Sequence, residues 1–223
     1  MAVQTGEGII DIIYGTTSVP AGPRVFGGYL ARPDGAGEWP TVLIYGPAPL
    51  PTSTIKDICR VLARHGIAAL ALDLTDSREH NRSVSRAAAA FVGDPSGEWS
   101  NGQLGYGVLA FGAGIGDLVE LAHADPRCVA AAIVAATIDG ADAELLHSAG
   151  IDALAILSRK DASVDLEATR DAQADNPHLA MVIYASGEEG FWDAGTDAFD
   201  DARYRDTIDR VIAFFTEQLP PRV

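Results

Sequence analysis

Segment 108–117, VLAFGAGIGD, contains no side chain that could act as a nucleophile. Small residues there lead from a buried strand into a helix, and a sharp strand-to-helix turn of this kind can expose a Ser or Cys to a substrate. Between Gly102 and Val134 there is no Ser or Thr, and the only Cys, Cys128, lies well beyond the turn. The sequence therefore predicts an enzyme-like turn without a reactive oxygen or sulfur.

The remaining candidates for metal or cofactor chemistry are weak. The five histidines never approach one another at metal-ligand spacing, and the two cysteines fit no metal motif. Both cysteines are expected to be small buried residues rather than a disulfide. The run GYGVLA at 105–110 loosely fits a dinucleotide fingerprint, but its glycines would lie inside a strand instead of after it. We expect no metal and no cofactor.

Short apolar runs alternate with helical patterns along the chain. Runs 8–15 and 25–33 predict a hairpin flanking a larger sheet, and continuous apolar runs such as 41–45 are typical of strands buried on both faces. Further strands are predicted at 67–74, 104–111, 129–135, 153–158 and 179–185, with helices at 54–64, about 84–92, after the turn to about 124, and at the end of the chain. This alternation predicts an α/β protein with a mostly parallel sheet.

Composition limits the classes of function. A chain of 223 residues is expected to form one domain, 1–223, and a net charge of −15 disfavours nucleic acids and anionic membranes as partners. The first residues lack the layout of a signal peptide, so a cytoplasmic protein is expected. The partner should be a small organic molecule, and a homodimer or a complex with a partner enzyme is left open.

Several segments together resemble the dienelactone hydrolase family. These are VFGGYLARPDGAGEWPTVLIY (25–45), RVLARHGIAALALDL (60–74), GQLGYGVLAFGAG (102–114), ALAILSRKDASV (153–164) and IYASGEEGFWD (183–193). The resemblance covers nearly the whole chain in order and spacing. It implies an α/β-hydrolase fold with about eight strands and helices on both faces, and a nucleophile on the strand-to-helix turn, with an acid and a histidine on later loops.

Carried across residue by residue, the resemblance implies a degenerate triad. Ala110 takes the nucleophile's place, or Gly114 in an alternative register, and both lack a reactive atom. Asp161, in RKDASV, corresponds to the triad acid, and Glu189 stands where the family has its histidine. Losing a nucleophile or base from such a triad costs on the order of 10⁶ in turnover. Conventional ester or lactone hydrolysis is therefore not expected.

The resemblance also implies the surroundings of the pocket. The amide of Phe111 is the expected oxyanion donor, because Pro47 in the loop after the third strand has no N–H. Tyr45, Gly46 and Pro47 should line the pocket from one side. Phe191 and Trp192 should line it from the other.

Three functions remain open. In the first, Asp161 and Glu189 share a site as an acid/base pair and the protein is a non-hydrolytic enzyme of isomerase, cyclase or dehydratase type. Glu189 could equally point into solvent. In the second, the protein binds a small molecule or acts as a scaffold without turnover. In the third, it is a hydrolase with a relocated nucleophile such as Ser163 or Ser186.

Overall fold

The computed structural model describes residues 10–49 and 51–223, and its centre is an eight-stranded sheet. The strands are β1 (Ile12–Ala21), β2 (Arg24–Pro33), β3 (Thr41–Tyr45), β4 (Ala68–Leu72), β5 (Tyr106–Phe111), β6 (Cys128–Val134), β7 (Asp152–Lys160) and β8 (Leu179–Glu188). They lie in the order β1-β2-β4-β3-β5-β6-β7-β8. The β1–β2 hairpin joins antiparallel to β4, and all other neighbours are parallel. The expected mostly parallel sheet is confirmed.

Among the described residues, six α-helices cover the sheet. They are α1 (Ser53–Arg64), α2 (Arg78–Val92), α3 (Ile115–Ala124), α4 (Gly140–Ser148), α5 (Leu166–Asp175) and α6 (Asp201–Gln218). Helices α2 to α5 contact one another in sequence, while α1 packs on β2 and β4, and α6 packs on β6 and β7. Every residue of β3, β4 and β5 is buried, as the continuous apolar runs predict for strands covered on both faces.

Most predicted elements are present with shifted ends. The hairpin strand predicted at 8–15 begins at Ile12 and continues to Ala21, and residues 8 and 9 lie outside the described part of the chain. Helix α2 begins six residues before the predicted stretch at 84–92, because the Ser77 hydroxyl accepts from the amide of His80 and caps its start. Helices α4 and α5 were not predicted.

Glycine allows the last helix to lie close to the central strand. A Cβ atom on Gly107, in β5, would come within 2.6 Å of the Phe215 ring of α6. Gly107 is therefore a packing glycine inside β5, as expected, whereas Gly105 lies just before the strand and not inside it.

Both cysteines are free and buried. Burial raises the pKa of the Cys59 thiol to about 12 and that of Cys128 as well, so both thiols stay protonated and unreactive. Over residues 10–49 and 51–223, none of the helices has the length and apolar character needed to cross a membrane.

Candidate functional site

The strand-to-helix bend is centred on Gly112. Strand β5 ends at Phe111, Gly112 has φ of +52°, and a short 3-10 turn over Gly112–Gly114 leads into α3. A left-handed residue directly after the strand turns the chain sharply, as the nucleophile-bearing turn of this fold requires. A Cβ atom on Gly112 would meet only the carbonyl oxygen of Ala135, at 3.9 Å. The bend thus has free space where a side chain would project.

Neither Ala110 nor Gly114, the two positions that the resemblance implies for the nucleophile, lies at the centre of this bend. Ala110 lies inside β5, fully buried and paired with Tyr45 and Ile133 in the neighbouring strands. A Cβ atom on Gly114 would come within 2.6 Å of the amide nitrogen of Gly46, so Gly114 is needed for the close approach of two loops. Neither residue lines the cleft at the bend.

The amide expected as the oxyanion donor belongs to the last residue of β5. Phe111 belongs to the β5 ladder, paired with Val134 of β6. Ala113 is the residue that follows the bend, and it lines the cleft together with Pro47, which has no N–H to donate.

A cleft of about 720 Å³ opens beside the bend. It is lined by Pro47, Gly112, Ala113, Ile115, Ala135, Ala136, Thr137, Asp161, Ser163, Glu189, Gly190, Trp192, Asp193 and Thr196. These residues follow β3, β5, β6, β7 and β8, which are five of the six parallel strands whose carboxyl ends face this edge. Binding sites of α/β sheets lie in crevices outside the carboxyl ends of the strands.

Asp161 lies in the turn after β7 and is 4 % exposed. Its Oδ1 accepts from the amide of Ser163 at 3.0 Å and from the Ser163 hydroxyl at 2.5 Å. Its Oδ2 is buried and has no hydrogen-bond partner among the described residues. One carboxylate oxygen therefore holds the turn, and the other is left without a partner at the cleft.

Glu189 lines the same cleft but remains exposed. It is not hydrogen-bonded to Asp161, because both partners of Asp161 Oδ1 belong to Ser163 and Oδ2 has none. The structure thus brings the two predicted carboxylates to one cleft without assembling them into a hydrogen-bonded pair. In the described part of the chain, no three His, Cys, Asp or Glu side chains are placed to hold a metal ion.

Only some of the predicted lining residues reach the cleft. Trp192 and Pro47 line it, whereas Phe191 is fully buried and packs edge-on against Tyr184, with ring centroids 6.0 Å apart. Tyr45 and Gly46 are not part of the lining. Tyr45 is fully buried, and burial raises the pKa of its phenol. A position at the end of β3 does not by itself point a side chain into the cleft, since side chains alternate between the two faces of a strand.

The two serines considered as relocated nucleophiles have other partners. Ser163 lines the cleft but donates its hydroxyl to Asp161, as described above. Ser186 is absent from the lining, and its hydroxyl accepts from Nε and Nη2 of Arg203 at 3.3 and 3.2 Å. No histidine lines the cleft, so neither serine has an imidazole base beside it there.

Asp193 is a cleft residue that sequence reasoning missed. Its Oδ1 accepts from the Thr54 hydroxyl of α1 at 2.5 Å and from the amide of Gly195 at 2.9 Å. The sequence signal is weak, because Asp193 opens the acidic stretch 193–206 and composition alone does not single out one of its carboxylates. The contact with α1 spans 139 positions of sequence, which no local pattern can indicate.

Comparisons with solved structures identify the fold. The chain has the α/β-hydrolase fold, and it superimposes on a protein assigned as a dienelactone hydrolase from Klebsiella pneumoniae with a TM-score of 0.78 and 20 % identity, over 93 % of this chain and 99 % of that one. A dienelactone hydrolase from Anabaena variabilis gives a TM-score of 0.74 at 16 % identity, over 94 % and 99 %. A dienelactone hydrolase-like promiscuous phosphotriesterase from metagenomic libraries gives 0.76 at 18 %, also over 94 % and 99 %.

At these identities the comparisons show a shared fold, and they confirm the expected architecture. No protein-family model matches the sequence, and no curated protein matches it significantly. Function must therefore be argued from the site itself.

Proposed function

We propose that the protein is a dienelactone hydrolase-like protein that acts on a small organic molecule in this cleft without a covalent intermediate on Ser or Cys. The observation that carries the proposal is Gly112: the residue at the bend lines the cleft and has no side chain. We infer that Gly112, rather than Ala110 or Gly114, occupies the nucleophile's position. Glu189, at the place of the family's histidine, cannot take a proton from a hydroxyl as imidazole does.

The rest of the cleft is suited to a ligand. Its volume of about 720 Å³ falls in the range of small-molecule sites, roughly 300–1,000 Å³. Asp161 offers Oδ2 as a proton acceptor, which is the group that an isomerisation, dehydration or cyclisation would need. The proposal is therefore a non-hydrolytic enzyme in which Asp161 accepts a proton from the substrate and the exposed Glu189 delivers to the substrate a proton taken from solvent.

Binding without turnover is the second candidate. It is favoured by one observation, that Asp161 and Glu189 are not hydrogen-bonded to each other. A carboxylate pair that shares a proton would be expected to touch. A relocated nucleophile is less favoured, because the lining includes no imidazole and Ser163 donates its hydroxyl to Asp161. The proposal also includes a cytoplasmic location, supported by two buried free cysteines.

Hydrolysis by the unmodified protein is the first test. Chromogenic short-chain esters and a lactone are expected to give only background rates that serine- and cysteine-directed reagents do not change. Turnover well above background and abolished by such a reagent would contradict the proposal. The same experiment also tests the hypothesis of a relocated nucleophile. Protein labelled by the reagent can be digested, and the modified residue can then be identified.

Introducing a cysteine and a histidine tests which residue occupies the nucleophile's position. Gly112→Cys combined with Glu189→His is expected to gain ester hydrolysis, because a side chain at 112 meets only one atom, at 3.9 Å. A non-glycine residue with positive φ costs on the order of 1–3 kcal/mol, so the variant's unfolding is measured alongside. The matched control is Ala110→Cys with Glu189→His, which places the thiol inside β5 and should gain nothing. Activity in the control alone would return the nucleophile's position to Ala110.

A further inference from the structure

The charged side chains of the cleft are all acidic. Asp161, Glu189 and Asp193 line it, and none of its lining residues is Lys, Arg or His. The protein as a whole carries a net charge of −15, which adds to the negative potential at the cleft. An anionic ligand would be repelled there, and a cationic one would be attracted.

These carboxylates are not neutralised by neighbouring basic groups. Glu189 makes no hydrogen bond or ion pair with the described residues, and the partners of Asp193 Oδ1 are a hydroxyl and an amide. Asp161 adds an independent observation, because its side chain is almost fully buried and its Oδ2 has no partner. A buried polar atom without a partner is costly to a protein, so a ligand that donates to it explains why it is retained.

An aromatic face completes the site. Trp192 is 6 % exposed and lines the cleft, and its ring lies against Phe111 with centroids 4.5 Å apart and planes at 33°. This packing fixes the indole in place. Indole is the aromatic side chain that attracts a cation most strongly, through the negative face of its π system.

The size of the cleft indicates an organic cation rather than a metal ion. Among the described residues no acidic cluster is arranged for a metal, and the cleft is far larger than an ion needs. We propose that the cleft selects a small organic molecule bearing an ammonium group, with the Asp161 carboxylate as its anionic partner and Trp192 in the wall of the same cleft. This inference rests on the proposed function, since it takes the same cleft as the binding site.

The test compares three probes that share a ring and differ in charge. Benzylammonium, benzyl alcohol and benzoate are titrated into the full-length protein at pH 7 by calorimetry. Benzylammonium is expected to bind about tenfold more tightly than benzyl alcohol, as a charge-assisted contact implies, and benzoate least. Equal or tighter binding of benzyl alcohol or benzoate would overturn the inference, as would the absence of any benzylammonium binding.

Two matched variants locate the effect. Asp161→Asn keeps the acceptor that holds Ser163 but replaces Oδ2 with a donor, so benzylammonium affinity is expected to fall about tenfold while benzyl alcohol affinity changes less than about twofold. Asp209→Asn changes the net charge equally on the exposed side of α6 and should leave both affinities unchanged. Equal losses in the two variants would mean that only overall charge matters, which overturns the proposed role of Asp161.

A result that disproves the preference for an ammonium group can be distinguished from a result that disproves the proposed function. If benzyl alcohol binds the cleft best, charge selection is disproved while the non-hydrolytic cleft stands. If the unmodified protein hydrolyses esters through a labelled residue, the proposed function is disproved whatever the order of the three affinities.

Discussion

The acidic side chains of the cleft and those on the helical surface differ in their partners. On the surface, Asp125 is paired with Arg127, with Oδ2 2.6 Å from Nη2, and Asp206 with Arg210, with Oδ2 2.8 Å from Nε. In the cleft, Asp161 has one oxygen without a partner and is not paired with any arginine. Carboxylates with partners stabilise the fold, and those left without partners at a cleft are available to a ligand.

The pKa values on the paired side follow from these contacts. Burial opposes ionisation of Asp125, but hydrogen bonds from the side chain and amide of Arg127, together with its positive charge, outweigh burial and lower the pKa of Asp125. Asp117, on α3, shows the opposite balance. Burial raises the pKa of its carboxyl, and the hydrogen bond from Asn81 only partly compensates.

Removing Arg127 should have the largest effect on stability. Arg127→Met removes both guanidinium hydrogen bonds to the partly buried Asp125 carboxylate and leaves only the hydrogen bond from the amide of residue 127. We expect a loss of about 2 kcal/mol in the free energy of unfolding, measured by urea denaturation. Arg170→Met, on the exposed side of α5, is the matched control and should change stability by less than about 0.5 kcal/mol. Equal losses of unfolding free energy in the two variants would show that the pairing of Asp125 with Arg127 does not stabilise the fold.

The pH dependence of stability should separate Asp125 from Asp117. A carboxyl whose folded pKa is lowered contributes stability above its unfolded pKa, about 3.9, and loses it as pH falls through the folded value. Asp125→Asn should therefore lower stability at pH 7 by about 1–2 kcal/mol and flatten the loss below about pH 4. Asp117 has a raised pKa, so its contribution is lost as pH rises through the folded value.

Asp117→Asn is accordingly expected to raise stability near neutral pH and to have less effect at low pH. The measurement is the unfolding free energy of each variant at several pH values between 3 and 7, an interval that brackets the carboxyl titrations. If Asp125→Asn and Asp117→Asn changed the unfolding free energy at pH 7 in the same direction, the opposite pKa shifts assigned to these two carboxyls would be contradicted.

The smallest change in the free energy of unfolding is expected for a substitution at the cleft. Asp161→Asn removes a buried carboxylate whose Oδ2 has no partner, so the unfolding free energy should stay constant or rise by up to about 1 kcal/mol. In a chain of this size that is at most about 2–4 °C in Tm, measurable by calorimetry. A clear drop in Tm, comparable to that of Arg127→Met, would show that Asp161 is a structural residue.

Much of the fold could be predicted from sequence, and the exceptions have identifiable reasons. The buried strands β3 and β4 were located because continuous apolar runs leave few alternatives. Helices α4 and α5 were missed because each buries few large side chains: Ala143 and Leu146 in α4, Thr169 and Ala172 in α5. Their starts are fixed instead by Asp139 and Asp165, which cap them through short hydrogen bonds.

The site, too, could be predicted from the sequence only in part. That Asp161 and Glu189 would reach one cleft followed from their positions after parallel strands, and the structure brings both there. The bend could not be assigned to Gly112, because 112–116 alternates small residues and several of them could adopt a left-handed conformation.

The sequence by itself determined the layered α/β architecture and the absence of a reactive side chain on the turn after β5, because apolar periodicity and residue identity are local properties. Only the tertiary structure decided which glycine forms the bend, that Asp161 keeps one oxygen without a partner, and that Asp193 and Trp192 join it at the cleft. These depend on distances between residues far apart in the chain, which are fixed only when the sheet and its loops are packed.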